Sequence, residues 1–457
     1  MGQFKSHFRF YNKKTNTQTQ NKTSMNSKYT YLIFIFAVVL FTNCNTSTTK
    51  KNITDKKDYD TYLAVSGNKA LEQAKENDIF WSEKLQQTPN QFPYIGRLAS
   101  TYTSYFSATG DIEYLKKAEE KLLEVNEKTN YNNPSYLRSL AHNYISQHRF
   151  KEALNHLEKA EELKGDLPAT QKMLFDVHLE LGNYDKAQTY LNSIENYSDF
   201  DYLIRLSKMS DHKGNLDAAI KYMEKAMAIA ESSNIKSLKQ WSYTNIADFY
   251  GHAGDIEKSY NHFLKALELD PNDAYSKKGI AWIVYSHEKN PDEALRILNT
   301  VTNTYNAPDY YLLKAEIADF KGDKQMADQQ LELYKSAMKD VAYGDMYNKY
   351  NVLLYTDGNS QLQDAIAIAK TEVENRPTPQ SYDLLAWSYF KNGNLDEALK
   401  IVDNHIINKT YEPETLYHVA EIYKAAGKND EVKPLKKELL ASIYELGPTM
   451  EDKINQL

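Results

Sequence analysis

A small side chain recurs along this sequence at a nearly fixed interval, and that recurrence limits its folds more than any other feature. Ala118, Ala153, Ala187, Ala219, Ser259, Ala294, Ala327, Ala365, Ala398 and, at the last position, the larger Val432 lie 35, 34, 32, 40, 35, 33, 38, 33 and 34 residues apart. One short unit cannot bury its own apolar face, so successive units must stack and share a continuous core. The 457 residues therefore read as one long array, not as the about three ordinary domains that length alone suggests.

Within each interval the apolar residues keep helical spacing. Leu137, Leu140, Ala141, Tyr144, Phe150, Ala153, Leu157 and Ala160 form one such set. Ile246, Ala247, Tyr250, Gly254, Phe263, Ala266 and Pro271 form another, and Leu385, Ala386, Tyr389, Gly393, Leu395 and Val402 a third. Small residues suit a close approach of two helices. Gly182, Gly214, Gly254, Gly322, Gly393 and Gly427 suit left-handed caps at the ends of first helices. Pro271 and Pro377 stop second helices.

This pattern of large, small, aromatic, turn glycine, small and terminal proline resembles the tetratricopeptide repeat. The resemblance implies an all-α fold: a right-handed α-solenoid of about ten stacked helix pairs with capping helices. Asp58–Gln87 reads as one or two capping helices, and Val432–Leu457 as the last second helix with a polar end cap. Departures are expected where Gly110 stands far from Ala118, at Lys278–Leu298 and Tyr347–Ala369, and at the lengthened Ser232–Gln240, where a second helix runs long or a loop intervenes. Pro434 puts the first turn of the final helix in question.

Ahead of the array, Lys28 precedes an apolar run from Tyr31 to Phe41. It is too short for a membrane span, which takes about 20 residues, and has the length of a signal-peptide core. Phe41-Thr42-Asn43-Cys44 resembles a bacterial lipobox, and Cys44 is the chain's one cysteine. The expected division is residues 1–24 as an unstructured extension or start-site overcall, 25–43 as a lipoprotein signal peptide, 44–57 as a polar tether and 58–457 as the solenoid. Lipidation at Cys44 would hold the protein to the cell envelope, at the outer membrane since no aspartate follows the cysteine.

Catalytic constellations are missing from the sequence. It has no glycine-rich phosphate loop and no His-Glu-x-x-His pattern. The eleven histidines are scattered, His178 stands where other units carry tyrosine, and a lone cysteine supports neither a disulfide nor a multi-cysteine metal site. No enzyme activity, cofactor or metal is expected. The formal charge of -7 disfavours a nucleic-acid ligand.

In tetratricopeptide proteins the first helices line a concave groove. Carried over by position, the resemblance places Arg138, His142, Trp241, Thr244, Asp248, Tyr275, Lys278, Trp282, Tyr285, Asp383, Trp387 and Phe390 on that inner face. The spacing of Lys278, Trp282 and Tyr285, like that of Asp383, Trp387 and Phe390, forms one helical stripe. Such aromatics serve either as contacts for a partner or as packing against the next unit. The expected function is a non-catalytic scaffold that binds an envelope protein or peptide. The alternatives are a glycan-binding outer-membrane lipoprotein and a regulator of a cell-wall enzyme or secretion machine.

Overall fold

The computed structural model describes residues 52–358 and 361–457. Two helices come first, α1 (Lys56–Leu63) and α2 (Lys69–Gln87). Ten pairs follow: α3 (Phe92–Thr109) with α4 (Ile112–Lys128), α5 (Pro134–Ser146) with α6 (Phe150–Glu162), α7 (Leu167–Glu180) with α8 (Tyr184–Ser193), α9 (Phe200–His212) with α10 (Leu216–Ser233), and α11 (Lys236–His252) with α12 (Ile256–Leu269). The second five are α13 (Ala274–Trp282) with α14 (Pro291–Thr302), α15 (Asp309–Lys321) with α16 (Lys324–Ala337), α17 (Asn348–Asp357) with α18 (Leu362–Asn375), α19 (Pro379–Lys391) with α20 (Leu395–Ile401), and α21 (Pro413–Ala425) with α22 (Asn429–Ala441). Two short helices, α23 (Ile443–Leu446) and α24 (Met450–Asn455), end the chain. No strand occurs among the described residues.

Local chemistry sets the helix ends. Asn133, Asp199, Asp273 and Asn290 accept amide hydrogens of the first turns of α5, α9, α13 and α14, satisfying donors that have no partner inside a helix. The six turn glycines all have φ between +73° and +85°, a region where a side chain would be strained. Where that glycine is missing, His148 (φ +60°) and Lys289 (φ +56°) adopt the same conformation. They stand five residues before Ala153 and Ala294, as the glycines stand before their own small residues, so the turn survives at Lys278–Leu298 without glycine. The long interval at Ser232–Gln240 holds no loop: α10 and α11 run for 18 and 17 residues and meet at left-handed Asn234. Helix α22 continues through Pro434.

Every one of the ten aligned positions lies on a second helix and is at most 3% exposed. Around Ala153, the residues Ala141, Tyr144, Phe150 and Leu157 join Leu174 and Val177 of the following pair in one cluster. Each core is thus shared across a unit boundary, as stacking requires.

The superhelix closes on itself after about six pairs. The amide of Asn306, between α14 and α15, donates to the carbonyl of Thr109 at the first turn (2.7 Å). Two pairs further on, Arg376, just before α19, reaches Glu180 at the end of α7 (3.5 Å) and lies over the Phe150 ring (5.3 Å).

Three expectations about the chain ends are corrected. The stretch read as a polar tether does not remain solvated to residue 57: Ile53 joins the core of the fifth to seventh pairs, and Thr54 donates from both its amide and its hydroxyl to Glu288 (2.8 and 2.9 Å). Helix α1 does not cap the first pair but packs on α12 and α14, because Tyr59, 1% exposed, finds its apolar seat and a hydroxyl partner, Glu293 (2.8 Å), only there. Residues 442–457 form more than an end cap. Ile454 seals the core of the last pair, but Tyr444 turns inward to α11 and α13. The signal segment and Cys44 lie outside the described residues.

Candidate functional site

The inner face of the superhelix is built from first helices, and its polar residues are arranged as a ladder between neighbours. Arg205 on α9 bonds Asp176 on α7 (2.6 Å), and Lys208 bonds Glu180 (2.9 Å). Lys172 on α7 meets Asp199 and Asp201 at the start of α9 (3.0 and 3.1 Å). Tyr275 donates to Asp248, Lys278 pairs with Asp309 (2.6 Å), Tyr285 donates to Glu316 (3.0 Å), and His418 meets Asp383 (2.9 Å). The partners are separated by roughly one repeat, so each rung ties one pair to the next. Burial pushes the Asp176 carboxyl up, with the Arg205 and Lys208 charges opposing it. Burial likewise lifts the Asp248 carboxyl to about 6, although the Tyr275 hydrogen bond opposes it.

This ladder takes up five of the twelve residues placed in the groove by sequence: Asp248, Tyr275, Lys278, Tyr285 and Asp383. Thr244, Tyr285 and Asp383 are buried at 8%, 0% and 4% exposure and have no surface to offer a partner. Arg138 bonds the Gly165 carbonyl and the Thr170 hydroxyl of the next unit (2.7 and 3.2 Å). Tyr275 and Lys278 are rungs, and the Trp282 indole donates to the Tyr444 carbonyl (3.0 Å). Trp387 stacks on His418 with ring centroids 4.1 Å apart, beside Phe390. His142 is partly exposed on α5. Of the twelve, Trp241 alone lines a cavity.

That cavity lies where the α18–α19 connection crosses the inner faces of α7, α9 and α11, and its volume is about 100 Å³. Leu179, Ile204, Met223, Trp241 and Phe249 make it apolar, and the Trp241 ring is held edge-on by Phe200 (5.8 Å). Arg205, Lys208 and Arg376 face Asp176, Glu180, Asp211 and Glu412 around it, with Asn245, Thr378 and Gln380 adding neutral hydrogen-bonding groups. Gly182 is required at the clamp: a Cβ there would stand 3.0 Å from the Pro377 carbonyl oxygen. Sequence reading missed the charged lining. Opposite charges 29 and 28 residues apart, Asp176 with Arg205 and Glu180 with Lys208, are the signal that marks it. Arg376 has no such signal, since only the closing of the superhelix brings it in. Among the described residues no cluster of histidine, aspartate and glutamate has the form of a metal site.

Ten helix pairs crossing at buried small residues, with an inner face left for contact, define a helical-repeat solenoid of the kind that serves as a protein-interaction scaffold. Tetratricopeptide-repeat family models match residues 144–202, 200–233 and 242–273, and a PPR-repeat model matches 380–404. The chain carries tetratricopeptide repeats within residues 144–273. A tetratricopeptide-repeat-containing protein of Methanocaldococcus jannaschii is 24% identical over 310 residues, 63% of this chain and 52% of that protein. The chain thus spans about half the length of the curated relative it matches. Solved structures similar in fold include the human IFIT1 dimer with m7Gppp-AAAA (16% identity, 68% of this chain and 70% of that one, TM-score 0.45). A tetratricopeptide repeat protein from Parabacteroides merdae (18%, 59% and 93%, 0.37) and yeast Tom70 (15%, 88% and 94%, 0.35) are others.

Proposed function

We propose that this protein is a non-catalytic scaffold that seats an apolar side chain of a protein partner in the cavity beside Trp241 and is held to a bacterial envelope membrane by lipid on Cys44. The observation that carries the reading is the cavity's composition. A lining of apolar side chains together with three basic and four acidic ones suits a peptide segment with one buried anchor and charges of both signs. A polyanion such as nucleic acid would meet four carboxylates there, so the balance favours protein over nucleic acid. The lipobox-like residues before Cys44 support the anchor, with the outer membrane as its site, and no helix among the described residues is long and apolar enough to cross a membrane.

Two measurements test this. A photo-crosslinking residue at Asn245 should capture one partner in the native cell. Trp241→Ala should abolish capture while leaving the circular dichroism spectrum unchanged. Continued capture by a folded Trp241→Ala protein would exclude the cavity as the seat. Cys44→Ala should release the protein from membranes and end lipid labelling, and persistent labelling would refute the anchor.

A further inference from the structure

The inner face of α11, α13 and α15 is filled by the chain itself. Helix α13 continues into a π turn at Ile283–His287, a widening of the helix often found at functional sites. The Ser286 hydroxyl within it and the Trp282 indole just before it both donate to the carbonyl of Tyr444 (2.6 and 3.0 Å). The Tyr444 ring lies over Gly251 on α11, where a Cβ would come within 3.0 Å of it. A glycine inside a helix costs roughly 1 kcal/mol relative to alanine, and this one leaves the seat for the ring. Gly447, at φ 83° and ψ 158°, brings the backbone against Trp282 and Glu316. The Thr449 hydroxyl faces Glu316 at 3.5 Å, and Lys289 pairs with Glu451.

These contacts are those of a bound peptide: one aromatic ring in a side-chain seat, and a backbone carbonyl that any residue could offer held by two side-chain donors. The segment also pays a penalty unusual for core. The Glu445 carboxyl is buried, with His252 Nδ1 3.4 Å away and no hydrogen bond to either oxygen. A buried carboxyl so placed is costly, which leaves the segment easier to remove than its burial suggests. Ser442 alone joins it to α22.

We infer that the inner face of α11, α13 and α15 is a peptide-binding site, occupied in cis by residues 442–449, and that a partner segment with an aromatic residue, a neutral residue after it and a glycine three positions on takes their place. The site has a lining separate from the Trp241 cavity, so its test is independent of that reading.

The probe is a fluorescent synthetic peptide with the sequence of residues 442–450, added to the full chain. Tyr444→Ala should empty the ring seat and bind the peptide at least tenfold more tightly than the parent. Adding Trp282→Phe, which keeps the ring and removes the donor, should weaken binding about tenfold, and adding Gly251→Leu should abolish it. Equal or absent binding by a folded Tyr444→Ala chain would overturn the inference. So would loss of the fold in that variant, which would make the segment core. Hydrogen exchange on the unaltered chain decides the same point without mutation. The amides of 443–449 should exchange at least tenfold faster than the buried amides of α11, and exchange only on global unfolding would overturn the inference.

Discussion

The two ends of the chain grip the same stretch of the solenoid from different layers, and they do so with opposite chemistry. The N-terminal strap, residues 52–63, lies on second helices α12 and α14. Every charge it brings to Glu293 is matched: Tyr59 donates to it, and Lys56 (2.6 Å) and Arg296 close around it. Arg296 reaches on to Asp60 of the strap itself. The C-terminal segment lies on first helices α11 and α13, held through a backbone carbonyl, and buries Glu445 without a hydrogen bond. A buried charge with several good partners is stabilised, whereas one without them is a cost that packing must exceed. The strap is built as structure, and the segment opposite it as something exchangeable.

The largest test of this contrast is Tyr59→Ala. Removing a fully buried aromatic side chain costs about 3–5 kcal/mol, so the strap should open, with hydrogen exchange at 54–63 rising while 443–449 is unaffected. Equal protection before and after would show that the strap contributes nothing. Next comes acidification. Although burial works against it, hydrogen bonds from Arg296, Lys56 and Tyr59 hold the Glu293 carboxyl down at about 2, from its ordinary 4.5. A carboxylate depressed on folding contributes stability above its unfolded pKa and loses it as pH falls through its folded one. About 3 kcal/mol of folding stability should therefore disappear between about pH 4.5 and pH 2, and the part that comes from Lys56 and Tyr59 belongs to the strap. Glu293→Gln should destabilise at pH 7 and differ little from the parent at pH 2. A difference independent of pH would sink the ion-pair account.

Ala153→Leu, remote from both ends, supplies the control. Overpacking of this kind costs roughly 1–3 kcal/mol and should stay local, because units couple to their neighbours. A shift in the urea midpoint with strap and tail exchange unchanged is expected, and no shift would mean that helices do not meet at that alanine. Smallest of all is Glu445→Gln. Burial pushes the Glu445 carboxyl well up, so an amide in its place should leave the protein unchanged or gain up to about 1 kcal/mol at neutral pH. The same substitution thus has opposite signs at residues 293 and 445. Destabilisation at both would erase the distinction between the two ends.

What was legible in the sequence is what repeats. The ten aligned positions are all buried, and the six turn glycines all adopt left-handed conformations. Both are local demands, one on the contact of paired helices and one on the turn between them, and each unit restates them. The inner-face ladder was half legible. Five of its residues were singled out, but their partners stand a repeat away, so a residue such as Tyr285 reads as a groove aromatic until its bond to Glu316 is seen.

Sequence alone determined the helix pairs, their number and their stacking, since a period near 34 residues records contacts between neighbours. The tertiary structure alone decided what fills the axis: Arg376 over the α7 turn, Tyr59 on α14, Tyr444 on α11. These contacts join residues about 160 to 240 positions apart, each made once. A contact made once leaves no periodic trace. It follows from how each pair is rotated on the last, a rotation that sums over about six units into closure.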